Sequence, residues 1–198
     1  GITNAAFRAL CIEGGAGLVV GEMVSAESVK YGNKKSLKLL EVYPSEHPIA
    51  SQLFGSDPGS MAKAARAAQD LGADIVDINA GCPVRKIEAK GSGAALMRSP
   101  EKIEAIVRAI RGAVSLPVTV KTRIGYSPDA MNISEVAHAV EAGGGHALFL
   151  HARFATNQHR GPADWATLAR INAERAIPVV GNGGVTTAQD ALDRLAQT

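Results

Sequence analysis

Six short runs of mostly apolar residues, alternating with helical patterns, constrain this chain more than any other feature. They are Gly17 to Val24, Ile49 to Phe54, Ile75 to Asn79, Val118 to Lys121, Ala147 to His151 and Pro178 to Gly181. Their apolar character is nearly continuous rather than alternating, which predicts strands covered on both faces. Strands that alternate with helices in this way pair in parallel. The helices are marked by their ends. Thr3 and Asn4 can cap a helix with Phe7, Leu10 and Cys11 on one face, stopped at Gly14 and Gly15. Ser56-Asp57-Pro58 opens a second that runs to Leu71 and Gly72, with proline in the first turn where its missing N–H costs nothing. Ser99-Pro100 opens Glu101 to Arg111, whose Ile103, Ile106, Val107 and Ile110 share one stripe. Ser134 is expected to cap a helix ending at Gly143, Asp164 to Arg175 reads as the next, and Thr187 with Asp190 makes a capping pair for the last. Residues 25–48 are polar and lysine-rich and read as a long loop with some local structure.

This is an α/β pattern, and two architectures compete for it: an open doubly wound sheet and a (βα)8 barrel. No G-x-G-x-x-G follows the first strand, which removes the strongest sign of a dinucleotide-binding open sheet. A complete barrel needs eight units and about 250 residues. Six units in 198 residues therefore predict an incomplete (βα)8 TIM barrel, occupying 1–198 as one domain. A start at Gly1 and an end at Thr198 inside an amphipathic segment lead us to expect further elements on both sides. With 46% hydrophobic residues the chain can fill a sizeable core. Its two cysteines, Cys11 and Cys82, make no disulfide framework, so a reducing, cytoplasmic location is expected. No apolar run approaches the roughly 18 residues of a membrane helix, and no membrane role is expected. A net charge of +2 is too small to argue for nucleic acid by itself.

In barrels of this kind chemistry gathers at the C-terminal ends of the strands. There the sequence places Gln52, Asn79 with Cys82, Lys121, His151 and Asn182. Each alone has an ordinary structural explanation; together, from different strands, they predict a polar ring over one pocket. No H-x-x-x-H or C-x-x-C spacing appears, so no metal is expected, and no G-x-S-x-G elbow suggests a hydrolase. Gly181-Asn182-Gly183-Gly184, between a strand and a helix, suits phosphate, because bare backbone N–H groups can approach it. Lys121 adds a fixed positive charge, and a phosphate-bearing, anion-forming cofactor such as a reduced flavin would use both. Cys82 suits either a general acid or, with Arg85, Lys86 and Lys90 on the loop behind it, a thiolate nucleophile.

The segment DINAGCP, with QLFGSDPGSMAKAA before it and KGSGAALMRSP after it, resembles the tRNA-dihydrouridine synthase family of flavin-dependent barrels. VTVKTRIGY, the LHAR-to-RGPADW stretch and IPVVGNGG continue the match in order, and GITNAAFR resembles the family's first helix. The similarity covers essentially the whole chain and is nearest the bacterial B-type branch. It implies that Gln52 and Lys121 contact the ring system of FMN, that His151 lines the flavin site, and that Asn182, Gly183 and Gly184 hold its ribityl-phosphate side. It implies that Asn79 hydrogen-bonds the target uracil and that Cys82 protonates C5 while reduced FMN delivers hydride to C6, with NADPH as reductant. The product would be 5,6-dihydrouridine in tRNA, made by a monomeric enzyme. Such a base must leave its stack, and Arg85, Lys86, Lys90 and Arg153 are expected at the face that meets RNA phosphates.

Phe154 and Ala155 depart from the family pattern, which has threonine and a basic residue there, and this bears on RNA contacts from that loop. The resemblance also implies that a first strand contacting FMN, a last strand with its glycine-arginine phosphate loop and a C-terminal helical tRNA-binding domain lie outside these residues. The 198 residues alone are then expected to bind FMN poorly and to reduce no tRNA. Two other readings are an FMN-dependent dihydropyrimidine or dihydroorotate-type dehydrogenase acting on free bases, and a non-catalytic RNA-binding barrel. The basic loop would have no purpose in the first; Asn79, Cys82 and Lys121 speak against the second.

Overall fold

The computed structural model describes residues 2–198. Its strands are β1 (Val19–Val20), β2 (Val24–Ser25), β3 (Ile49–Phe54), β4 (Ile75–Asn79), β5 (Val118–Arg123), β6 (Ala147–His151) and β7 (Val179–Asn182). They form one parallel sheet in the order β1-β3-β4-β5-β6-β7, with β2 also paired to β3. The helices are α1 (Ala5–Glu13), α2 (Ala26–Lys30), α3 (Lys34–Lys38), α4 (Pro58–Asp70), α5 (Arg85–Glu88), α6 (Pro100–Arg111), α7 (Ile133–Ala142), α8 (Trp165–Glu174) and α9 (Ala188–Gln197). The result is the expected incomplete (βα)8 barrel, with β1 and β7 left as edges among the described residues. No helix among those residues is long and apolar enough to cross a membrane.

The helices pack where their apolar stripes predict. Met61, Ala64, Ala65 and Ala68 of α4, Ile103, Ile106, Val107 and Ile110 of α6, and Val136, Ala137 and Val140 of α7 are all fully buried. Each large member stabilises the fold by about 1.5–3 kcal/mol through area removed from water. α6 and α7 approach closely where α7 ends: a Cβ on Gly143 would stand 2.8 Å from Val107 Cβ and 2.9 Å from the Glu104 carbonyl oxygen. Asp57 caps α4 through Ser60 N–H, Asn4 caps α1 through Phe7 N–H, and Thr187 with Asp190 forms the capping box of α9.

Four local readings change. The strand expected over Gly17 to Val24 is broken in two. Val19 pairs with Ile49 and Val20 with Ala50, yet Val24 pairs with Leu53, so one extra residue is accommodated between Val20 and Val24. That is the geometry of a bulge. The stretch 25–48 holds two capped helical turns, with the Ser25 and Asn33 side chains accepting from Ser28 and Ser36 N–H. Ser134 is not a cap. It lies inside α7, where its hydroxyl accepts from Arg170; Asn132 occupies the cap position and donates from Nδ2 to the Met97 carbonyl at 2.6 Å. Finally, β5 runs two residues past Lys121, because Thr122 and Arg123 continue its pairing with Leu150 and His151 of β6.

Candidate active site

Where β4 ends, the Asn79 side chain turns the chain. Its Oδ1 accepts the backbone N–H of Gly81 at 3.2 Å and of Cys82 at 3.0 Å, an Asx-type turn that presents the thiol. The loop is tied down on three further sides. Ala80 N–H donates to the Lys121 carbonyl at 2.8 Å, Ala94 N–H to the Cys82 carbonyl at 2.9 Å, and Arg123 Nε to the Gly81 carbonyl at 2.9 Å. Gly93 is required beneath it, since its φ of +61° is left-handed and a Cβ there would stand 2.6 Å from the Cys82 carbonyl oxygen.

Side chains alternate along each strand, so Asp77 and Asn79 of β4 share a face, as do Thr119, Lys121 and Arg123 of β5. On it the Thr119 hydroxyl and Gln52 Nε2 donate to the two oxygens of Asp77, and Asn79 Nδ2 donates to Gln52 Oε1 at 2.9 Å. Burial pushes the Asp77 carboxyl up, against the opposing pull of its two hydrogen bonds and the Lys121 charge. Lys121 is pulled down to about 8 by burial, with Asp77 opposing and Arg123 adding to the shift, and its Nζ donates to Asn182 Oδ1 at 2.6 Å.

His151 is pushed down to about 3 by burial first, then by Arg123, Lys121, Arg153 and His159. It is neutral at physiological pH. Arg153 Nη1 stands 3.3 Å from His151 Nε2; arginine can only donate, so that nitrogen accepts and the ring carries its proton on Nδ1. Arg123 is buried and spends its guanidinium on carbonyls, reaching Phe154 at 3.2 Å and Gln158 at 2.6 Å besides Gly81.

These groups surround a cavity of about 430 Å³, within the usual range for a small-molecule site. Of the residues expected from sequence, Asn79, Cys82, Lys121, His151, Arg153, Asn182, Gly183 and Gly184 line it. Gln52 does not. It stands behind Asn79 and opens on a second cavity of about 400 Å³ with Asp77, Phe7 and Phe149, and Lys121 is on the wall of both. The single ring over one pocket is thus two cavities sharing a lysine. Arg85 and Lys86 begin the short helix α5 rather than sitting in a loop; with Lys90 they are exposed and lie off the cavity lining. Sequence reading missed Asp77, Arg123 and His159. An acid two residues before Asn79 and a base two after Lys121 share those residues' faces, and that spacing was the signal for the first two.

A phosphate-bearing group suits this cavity on its own chemistry. Gly183 and Gly184 have φ of +121° and +70°, and a Cβ on Gly183 would stand 2.8 Å from His151 Cδ2, so the bare backbone is needed there. Trp165 Nε1 holds that turn by donating to the Gly183 carbonyl at 3.0 Å. Lys121, Arg123 and Arg153 make the wall electropositive. No cluster of three metal-binding side chains occurs among the described residues.

Among curated proteins, tRNA-dihydrouridine synthase B of Vibrio cholerae is 40% identical over 96% of this chain and 59% of its own length. The enzyme of the same name from Escherichia coli K12 is 40% identical over 94% and 58%. That of Xanthomonas axonopodis pv. citri is 39% identical over 100% and 60%. The chain thus spans about 60% of the length of such relatives. Among solved structures, a Burkholderia cenocepacia protein assigned as a lyase/mutase superposes with a TM-score of 0.62 at 18% identity, over 97% of this chain and 70% of that one. A Pediococcus acidilactici protein assigned as a lactate oxidase gives 0.55 at 19%, over 96% and 54%. Both likenesses concern the barrel fold alone. The family model described as dihydrouridine synthase matches residues 1–198, and the chain belongs to that family.

Proposed function

We propose that the protein carrying this chain reduces uridines in tRNA to 5,6-dihydrouridine, in the cytoplasm and as a monomer, with FMN as cofactor and NADPH as reductant. The observation that supports this best is that Cys82 stands on the wall of the same cavity as the cations and the glycine turn. An acid and a seat for an anionic cofactor therefore share one space. Residues 1–198 would be the barrel-forming catalytic part, with a tRNA-gripping helical part elsewhere.

Lys121, His151, Asn182, Gly183 and Gly184 would hold the flavin, with Gln52 reaching its ring system from behind Asn79. When bound, the flavin supplies the hydride that goes to C6 of the uracil. Lys121, as a cation, balances negative charge on the cofactor, and neutral His151 adds no competing proton. Asn79 holds the base by hydrogen bonding. Cys82 holds a proton over C5 and gives it up there, and its position is kept by the Asn79 turn and the Arg123 clamp. The target nucleotide has to be extruded from its stack to reach this depth. Arg153 on the cavity wall, together with exposed Arg85, Lys86 and Lys90, would take RNA phosphates.

The test is complementation of a strain lacking dihydrouridine synthases with the whole gene. The wild-type copy is expected to restore dihydrouridine to tRNA, and Cys82→Ala to reduce the rate about 10²–10⁴-fold, the usual contribution of a general acid. Full restoration by Cys82→Ala would remove Cys82 from the reaction. Turnover of free uracil or dihydroorotate with none on tRNA would replace the proposal by a free-base dehydrogenase.

A further inference from the structure

A line of side-chain hydrogen bonds begins at two backbone donors and ends on a buried carboxylate. The N–H groups of Gly81 and Cys82 both meet one atom of the Asn79 amide. Backbone N–H groups only donate, so that atom must be the oxygen. Asn79 therefore turns its nitrogen toward Gln52, and the Gln52 atom 2.9 Å away must accept. That leaves Gln52 Nε2 to donate to Asp77 Oδ2 at 2.7 Å, while Asp77 Oδ1 takes the Thr119 hydroxyl. An asparagine or glutamine amide by itself can present either end. Here neither can turn alone without setting donor against donor or acceptor against acceptor among buried groups.

Asn79 lines the cavity. Its oxygen is already taken twice, by Gly81 and Cys82. Among the described residues its second N–H meets only the Met23 sulfur at 3.7 Å, a weak acceptor brought there by the bulged segment between β1 and β2. That hydrogen is the least firmly held part of the amide.

We infer that Asp77 and Gln52 are positioning residues that lock Asn79 as a hydrogen-bond donor toward the cavity, so that the site accepts a ring carbonyl and rejects a ring amino group there. The inference rests on the proposed uracil-reducing function. At C4 uracil carries a carbonyl where cytosine carries an amino group. A donor facing that amino group leaves two buried N–H groups unpaired, the arrangement by which enzymes reject a near-isostere.

The lock is tested by NMR on the 15N-labelled chain, with neither flavin nor tRNA present. This keeps its failure separate from a failure of the tRNA activity, which complementation reads. Gln52→Met removes the middle of the line at similar volume, and Asp77→Leu removes its end. Asp77→Asn still offers an oxygen to Gln52 and an amide to the Thr119 hydroxyl. Amide exchange at Gly81 and Cys82, referred to that of Val120 in the same sample, is expected to rise about tenfold or more in Gln52→Met and Asp77→Leu, a loss of one buried hydrogen bond. In Asp77→Asn it is expected to stay near the wild-type value. If Asp77→Leu does not fold, Gln52→Met and Asp77→Asn carry the comparison. In the wild type, free uridine is expected to shift the Asn79 side-chain amide resonance and cytidine is not, a preference that Gln52→Met loses. Unchanged exchange in Gln52→Met, or an equal wild-type response to the two nucleosides, would overturn the inference.

Discussion

Within the cavity, His151 shows how burial and neighbouring charge set a residue's state. Its imidazole titrates at about 3 because burial and four surrounding cationic or titratable groups disfavour its proton, whereas in the unfolded chain it would titrate near 6.5. The folded value is the depressed one, so the unfolded chain takes up the proton first as pH falls. Stability that is present above about pH 6.5 is therefore lost progressively toward pH 3. Replacing His151 by Asn is expected to flatten the stability-versus-pH curve across that interval, measured by urea unfolding; an unaltered slope would contradict the assignment. Arg123 makes a second case. It is held by three carbonyls, and a lysine keeps the charge but not the planar fork that reaches all three. Arg123→Lys is expected to destabilise the chain by about 1–3 kcal/mol in the same measurement, the cost of buried carbonyls left unpaired. A change below a few tenths would mean the clamp contributes little.

Among the elements, those whose borders are fixed by their own residues were legible in the sequence. Asp57-Pro58 starts α4 and the Ile103, Ile106, Val107, Ile110 stripe buries α6, because a cap and a 3.6-residue period act locally. What depends on a partner strand was not. The extra residue between Val20 and Val24 leaves no mark in an apolar run, since only the register against β3 reveals it. Likewise β5 extends to Arg123 because β6 is there to pair with it, which is why a buried arginine central to the site was missed. Asp77 lies inside a strand rather than at its end, and its role comes from facing Gln52 and Thr119 across neighbouring strands, which the sequence does not display. Cys82, Lys121, His151 and the glycine turn were legible because each stands where an apolar run of the sequence breaks. The close approach of α6 and α7 gives a test at this scale. Gly143→Ala places a methyl against Val107 and the Glu104 carbonyl with no backbone strain to confuse the result. Overpacking of this kind costs about 1–3 kcal/mol, so a lowered Tm is expected; an unchanged or raised Tm would show that the two helices can move apart freely.

Taken as a whole, the molecule is a curved parallel sheet with two edges among the described residues and a cavity on each side of Lys121. β7 is the less protected edge, with Val180 46% exposed, and Leu192 and Leu195 of α9, the helix that follows it in the chain, are also exposed. The glycine turn that would seat a phosphate lies between these two elements. A seat at so open an edge is expected to bind weakly. Titration of FMN into the 198-residue chain should therefore give little bound flavin at micromolar concentration, while purification with stoichiometric FMN would show the seat to be complete. The Lys121 value bears on the proposed flavin complex too. A cation that loses its proton at about 8 stabilises an anionic cofactor below that pH and less above it, so flavin affinity should fall as pH rises through 8. A pH-independent affinity from 7 to 9.5 would deny Lys121 that part. The proposed substrate is tRNA, and the direct measurement is position-resolved mapping of dihydrouridine in tRNA from cells deleted for the gene that encodes this chain. Loss of the modification at a defined position or set of positions, restored by the wild-type gene and not by Cys82→Ala, is the predicted result. An unchanged dihydrouridine pattern in the deletion strain would contradict it.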